Sequence, residues 1–272
     1  MLISPFTPLS FAKHKSDGVP SEYIQTFAVS DRILIEIIGT SSEMPQMSVL
    51  SYPDGEVVYN HALRKWDINE EQTLWFASLA MSVGLYTIHI NDAVSNAFKV
   101  TDNDNELNTT TLIQYSIPNN RQRDDAIFVI DGMQHFFDFR VPGGFRDCDW
   151  VFAVDSEQFV TDHADIVPLY SMDSVQQKFT LGNSQGCPVW FAEMLNRLLC
   201  CDYVYFDGMR YARKESSVPE MTVQLAGVDS FVFTQNLQKV TRLNPTIEQA
   251  NHLVMRHNNG LYLTTNNKKR II

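Results

Sequence analysis

From Tyr23 onwards the chain is built of short runs of β-branched and aromatic residues separated by turn signals. Runs of about four to eight such residues read as strands. Residues 23–29 and 32–38 form two of them around Ser30-Asp31, followed by 47–52, 56–59, 73–79, 85–91 and 97–100. Within the sixth, Gly84 to Ile90 alternates in the period-two manner of a half-buried strand. About seven short strands punctuated by turns predict a β-sandwich over residues 23–101.

The polar, aperiodic stretch 102–110 marks a domain boundary. Beyond it strands are expected at 112–117, 126–130, 134–140, 150–154 and 166–170, with Val141-Pro142-Gly143-Gly144 breaking the pattern. One helix stands out. Pro188 suits a first helical position, and Phe191, Leu195, Leu198 and Leu199 share one face, so an amphipathic helix is predicted over about 188–200. Strands at 203–206 and 209–213 follow, and Thr246 would cap a short helix over 247–252. Three Asp-Gly pairs, at 54–55, 131–132 and 207–208, predict tight hairpins, because both central residues of a type I′ turn need positive φ. Residues 1–22, with Pro5, Pro8, Gly18 and Pro20, read as an extended N-terminal arm. The expected fold is mainly β: an arm over 1–22, a sandwich over 23–101, and a second, mostly β domain with the helix over 110–272.

Composition narrows the function. The net charge of −11 disfavours sequence-specific nucleic-acid binding, which needs clustered Lys and Arg; the basic run Lys268-Lys269-Arg270 reads as a solvated tail. An acidic wall would still let DNA pass a lumen without sticking. Four cysteines, two of them adjacent at 200 and 201, do not make a disulfide framework and read as reduced thiols. The start shows no secretory signal and no run reaches about 18 apolar residues, so a soluble protein made in a cytoplasm is expected, with no membrane partner.

Candidate chemistry is sparse. Cys187 opens the helix after Gln185-Gly186, where the helix dipole would stabilise a thiolate. This faintly resembles papain-like peptidases and amidases, with His252 or His257 as base and Asn258 as orienting group. The Gln spacing departs from that pattern, and Pro188 removes an amide that would help hold an oxyanion. Asp162, His163 and Asp165 form an acidic cluster without the loop that hard cations require. Asp147 and Asp149 flank Cys148 as a nominal carboxylate pair, which reads more simply as a turn. Among Trp66, Trp75, Trp150 and Trp190, the neighbours Arg64, Lys65 and Asp67 mark Trp66 as the exposed one, and Trp75 and Trp190 as core. No catalytic residue, metal ligand or cofactor site is assigned.

Thr180-Leu181-Gly182, the helix opening Gly186-Cys187-Pro188-Val189-Trp190, the hairpin over 204–213, Pro219-Glu220 and Phe231-Val232-Phe233 together carry a resemblance. The second half resembles tail and baseplate structural proteins of tailed bacteriophages, in the style of the distal tail component. The segment Asp17-Gly18-Val19-Pro20-Ser21-Glu22-Tyr23-Ile24 is similar to the opening of such proteins from phages of gut Bacteroidetes. The resemblance implies a non-enzymatic virion protein, made in the host bacterial cytoplasm, that forms a homo-oligomeric ring and contacts other tail proteins. Two alternatives stand beside it: a carbohydrate-binding or adhesin module, and a cysteine hydrolase using Cys187.

Overall fold

The computed structural model describes residues 1–11, 23–145, 149–214, 220–225 and 230–240. The first half contains β1 (Leu2–Ile3), β2 (Gln25–Ala28), β3 (Ile33–Thr40), β4 (Met47–Ser51), β5 (Val57–His61) and β6 (Arg64–Asp67). It continues with β7 (Gln72–Leu79), β8 (Gly84–Ile90), β9 (Ala93–Val94), β10 (Phe98–Thr101) and the short helix α1 (Asp104–Leu107). The second half contains β11 (Thr110–Ser116), β12 (Val129–Ile130), β13 (Met133–Gln134), β14 (Phe137–Gly144), β15 (Trp150–Val160) and β16 (Ile166–Leu181). After it come α2 (Val189–Leu198), β17 (Tyr203–Phe206), β18 (Met209–Arg213), β19 (Glu220–Leu225) and β20 (Ser230–Lys239). The chain is mainly β, as its pattern predicts, and α2 is the one long helix among the described residues.

The first half is a sandwich. One sheet runs β1-β3-β7-β6 and the other β2-β10-β8-β4-β5, with β9 beside β8. Ile33, Ile35 and Ile37 of β3, Ala77 and Leu79 of β7, and Tyr86, Ile88 and Ile90 of β8 fill the space between them. The period-two side-chain rule sends Leu34, Glu36 and Ile38 to the opposite face of β3. That face is also covered: Leu34, Ile38, Leu74 and Phe76 belong to the core of the second half. This explains why residues 33–38 are buried without alternation.

The second-half ladder returns on itself. β16 pairs β14 at Gly143↔Leu181 and Gly144↔Thr180, and also pairs β20 from Val175↔Lys239 to Leu181↔Phe233. The strands β14-β11-β17-β18-β20-β16 therefore close a six-stranded ring, with β15 and β19 attached outside it. The registers place Tyr115, Phe137, Phe139, Phe179, Phe206 and Phe233 on one face, which closure turns inward into a packed core. Strand β14 runs through Pro142 to Gly144 instead of breaking at 141–144. Glycine is required at the seam because a Cβ on Gly143 (φ 117°) would sit 2.0 Å from the carbonyl oxygen of Thr180.

Three further expectations change. Residues 1–11 are not an arm: β1 pairs β3, Phe6 is fully buried, and the Tyr115 hydroxyl donates to the Phe6 carbonyl. Burying Phe6 against Tyr115 and Phe128 outweighs the turn preference of the flanking prolines. Residues 12–22 lie outside the described residues, as does the helix expected over 247–252. Of the Asp-Gly pairs, Asp131-Gly132 (φ 51° and 75°) and Asp207-Gly208 (φ 46° and 82°) make the two-residue turn. At Asp54-Gly55 only Gly55 is left-handed, and the chain needs residues 52–56 to turn between β4 and β5. Pro53, with no N–H and φ held at about −65°, does not fit the two-residue geometry. The boundary segment, finally, holds helix α1, whose Asn103 side chain caps Asn105 N–H.

Helix α2 starts at Val189 with Pro188 as its N-cap, one position later than the pattern suggests. Phe191, Met194, Leu195 and Leu198 are buried on its inner face, and Phe191 packs against Phe139 at a ring-centroid distance of 5.4 Å.

Candidate functional site

Cys187 does not have the setting of a nucleophile. Its side chain is 1% exposed, and burial pushes the thiol up to about 12, the reverse of what a helix N-terminus would do for an accessible thiolate. Its N–H donates to Phe231 O at 2.8 Å and its carbonyl accepts from Phe231 N at 3.0 Å, so its backbone is already committed. Nor does the next residue supply an oxyanion donor, because Pro188 has no N–H. His252, His257 and Asn258 lie outside the described residues. Thiol labelling in the native state checks this placement: an alkylating reagent followed by mass spectrometry should modify exposed Cys200 well before Cys187. Equal rates would show that Cys187 is accessible.

Asp162, His163 and Asp165 sit at the exposed turn between β15 and β16, where Thr161 N–H donates to Asp165 O at 2.9 Å. No group of three or more His, Cys, Asp or Glu side chains suited to a metal occurs among the described residues. Asp147 and Cys148 lie outside them, and Asp149 pairs with Lys178 at 3.1 Å. Trp66 is half-buried and donates its indole N–H to Asp131 at 3.0 Å, so the assignment of the exposed tryptophan is corrected. The exposed one is Trp150, at 58%. The aromatic–charge sequence around Trp66 marks a sheet edge; the Asp131 hydrogen bond that holds its ring down comes from 65 residues away.

The feature that chemistry-led reading misses is the hairpin β15–β16. Its strands pair from Trp150↔Gln177 to Val160↔Ile166, with a bulge at Glu157/Gln158. Eleven residues at about 3.3 Å each give the ribbon a length of roughly 35 Å. By register, Trp150, Phe152 and Val154 lie on the same side as Phe179 and Leu181 of the core. The inward-facing apolar pattern thus continues past the rim, where no described residue covers it. Phe152 is 72% exposed, and Val154, Phe159, Leu169 and Met172 are also well exposed. Trp150 and Phe152 meet edge to face at 6.1 Å. A two-stranded ribbon solvated on both faces is marginally stable in water. Residues 149–173 carry Asp149, Asp155, Glu157, Asp162, Asp165 and Asp173, with no Lys or Arg. That charge pattern, together with large apolar residues at both parities, is the sequence signal for the surface.

Two buried polar arrangements join the halves. The polar face of β11 and β14 meets the segment around β2: Arg140 forms two hydrogen bonds to Asp31, at 2.6 and 2.9 Å, and a third to Thr110. Asp31 also accepts from Ala28 N–H, Asp138 accepts from Arg32 N–H and Gln114, and Gln25 donates to the Arg140 carbonyl. On the other side, Glu36 is fully buried, accepting from Ile127 N–H at 3.2 Å through one oxygen while the other has no partner. Burial raises its carboxyl to about 8.

No protein-family model matches the sequence, and no curated protein matches it. Among solved structures, a chain of the Dpr2 Ig1-Ig2 complex with DIP-Theta Ig1-Ig3 aligns over 82% of this chain and 88% of that chain. The identity is 8% and the TM-score 0.17, a likeness too slight to carry an argument. No helix among the described residues is long and apolar enough to cross a membrane.

Proposed function

We propose that the protein is a non-enzymatic virion subunit, part of a phage tail, connector or baseplate ring, that works through contacts between subunits. The observation that carries this reading is the β15–β16 hairpin: an acidic, apolar ribbon standing outside its own core. Monomeric proteins rarely expose contiguous apolar patches beyond about 300–600 Å². Large obligate interfaces, by contrast, take up such surfaces. The sequence resemblance to phage tail proteins supplies the biological setting. In that setting the protein, made in the bacterial cytoplasm, takes its place in the virion beside other tail proteins.

Light scattering over a concentration series tests the reading. A discrete closed oligomer is expected for the full chain, and a monomer for a variant in which residues 153–174 are replaced by a two-residue Asn-Gly turn, which keeps the paired Phe152 and Val175 as its flanks. An oligomer unchanged by that deletion would remove the hairpin from the argument. The exposed Trp150–Phe152 pair supports a second reading, glycan binding, because aromatic faces stack on sugars. Saturable glycan-array binding lost in Trp150→Ala would favour it.

A further inference from the structure

Resting on the assembly reading, we infer that the β15–β16 hairpin of one copy seats on the exposed edge formed by β5 and β6 of a second copy, adding strands to its sandwich. β15 is the outermost strand of its ladder, so its outward backbone groups have no strand partner among the described residues. The same is true of β5 and β6, which end the two sheets of the sandwich and are joined by only residues 62–63. Every residue of β5 is exposed, including Val57, Val58 and Tyr59, and Arg64 and Lys65 of β6 are exposed beside them.

The two surfaces match in three respects. Both are unpaired strand edges, the geometry of β-augmentation. The eleven residues of β15 are long enough to pair along all five of β5 or all four of β6. Their chemistry is complementary: beyond the Asp149–Lys178 pair at its base, the hairpin over 150–173 brings five carboxylates and no Lys or Arg, while 57–67 carries Arg64 and Lys65 against one acid, Asp67. The exposed Lys65–Asp67 pair, 3.1 Å apart, is weakly held and cheap to exchange. Pairing one hairpin with another is disfavoured, because it would set five carboxylates against five. A contact between two different surfaces runs head to tail and propagates until rotation closes it, which yields a ring.

Charge exchange tests the interface. Glu157→Lys with Asp173→Lys alters the hairpin side, and Arg64→Glu with Lys65→Glu alters the edge side; all four side chains are exposed. Each pair alone should raise the concentration for half-assembly, read by light scattering, by about tenfold or more. The chain carrying all four should assemble again near the original concentration, which also shows that the substitutions leave the fold intact. An oligomer indifferent to all four charges would overturn this interface and leave the assembly reading standing. A strict monomer at millimolar concentration would overturn both. Hydrogen exchange then separates two causes: slow amides over 150–172 mean that another part of the same chain covers the hairpin, and fast amides mean that nothing does.

Discussion

Asp31→Ala should lower the stability of the protein by about 3–5 kcal/mol, measured by denaturant unfolding, because it strands a buried cation. Asp31 is 1% exposed and Arg140 11% at the side chain, and the guanidinium reaches both carboxylate oxygens. Removing the carboxylate also frees the Ala28 N–H and leaves Arg140 only its bond to Thr110. The pair links the turn after β2 to β14, across 109 residues of chain, so it locks one half to the other. A second consequence follows: unfolding should lose cooperativity, with fluorescence and far-UV dichroism reporting separate transitions. Asp31→Asn keeps hydrogen-bonding capacity without charge and should cost less. If Asp31→Ala and Arg140→Ala each cost under about 1 kcal/mol and add independently, the lock is not an energetic link.

Glu36→Gln should make the protein more stable at pH 8 and flatten its stability between about pH 4.5 and 8. The folded carboxyl titrates near 8 and the unfolded one near 4.5. Between those values the folded state holds a proton that the unfolded state has released. Stability is therefore full below the unfolded value and is lost as pH rises towards the folded value, by several kcal/mol at most. His135 acts in the opposite direction: burial lowers its folded value, so its contribution falls on acidification below about 6.5. Glu43, Asp67, Glu106 and Asp125, all lowered by hydrogen bonds and neighbouring charges, likewise lose their contribution in acid. The quantity to measure is the difference between wild type and Glu36→Gln, in which those terms cancel. Parallel pH profiles for the two proteins would mean that Glu36 is hydrated or paired in solution.

Local elements were legible where local chemistry decides them. The strands at 203–206 and 209–213 and the turn at Asp207-Gly208 need nothing beyond alternation and positive φ. Helix α2 follows from one apolar face. The turn at residues 52–56 departs from expectation because Asp-Gly makes a two-residue turn only when the residues on either side of it can pair directly. The burial of residues 1–11 is not legible locally, because nothing next to Phe6 in sequence announces that Tyr115 and Phe128 will enclose it. For the candidate surface, the residues were visible as strands at 150–154 and 166–170, but their exposure was not. An apolar alternation looks the same whether its strand lines a core or overruns it.

By itself, then, the sequence determined the class of fold, the helix, two of the Asp-Gly turns and the acidic character, since each depends on residues close together along the chain. Only the tertiary structure decided that the second-half ladder closes on itself, that Asp31 meets Arg140, that Cys187 is shut away and that Trp150 is not. Those outcomes rest on pairings between residues distant in sequence, such as Gly143 with Leu181 and Val175 with Lys239. Side-chain period sets which face a residue takes, and long-range register sets whether anything covers that face.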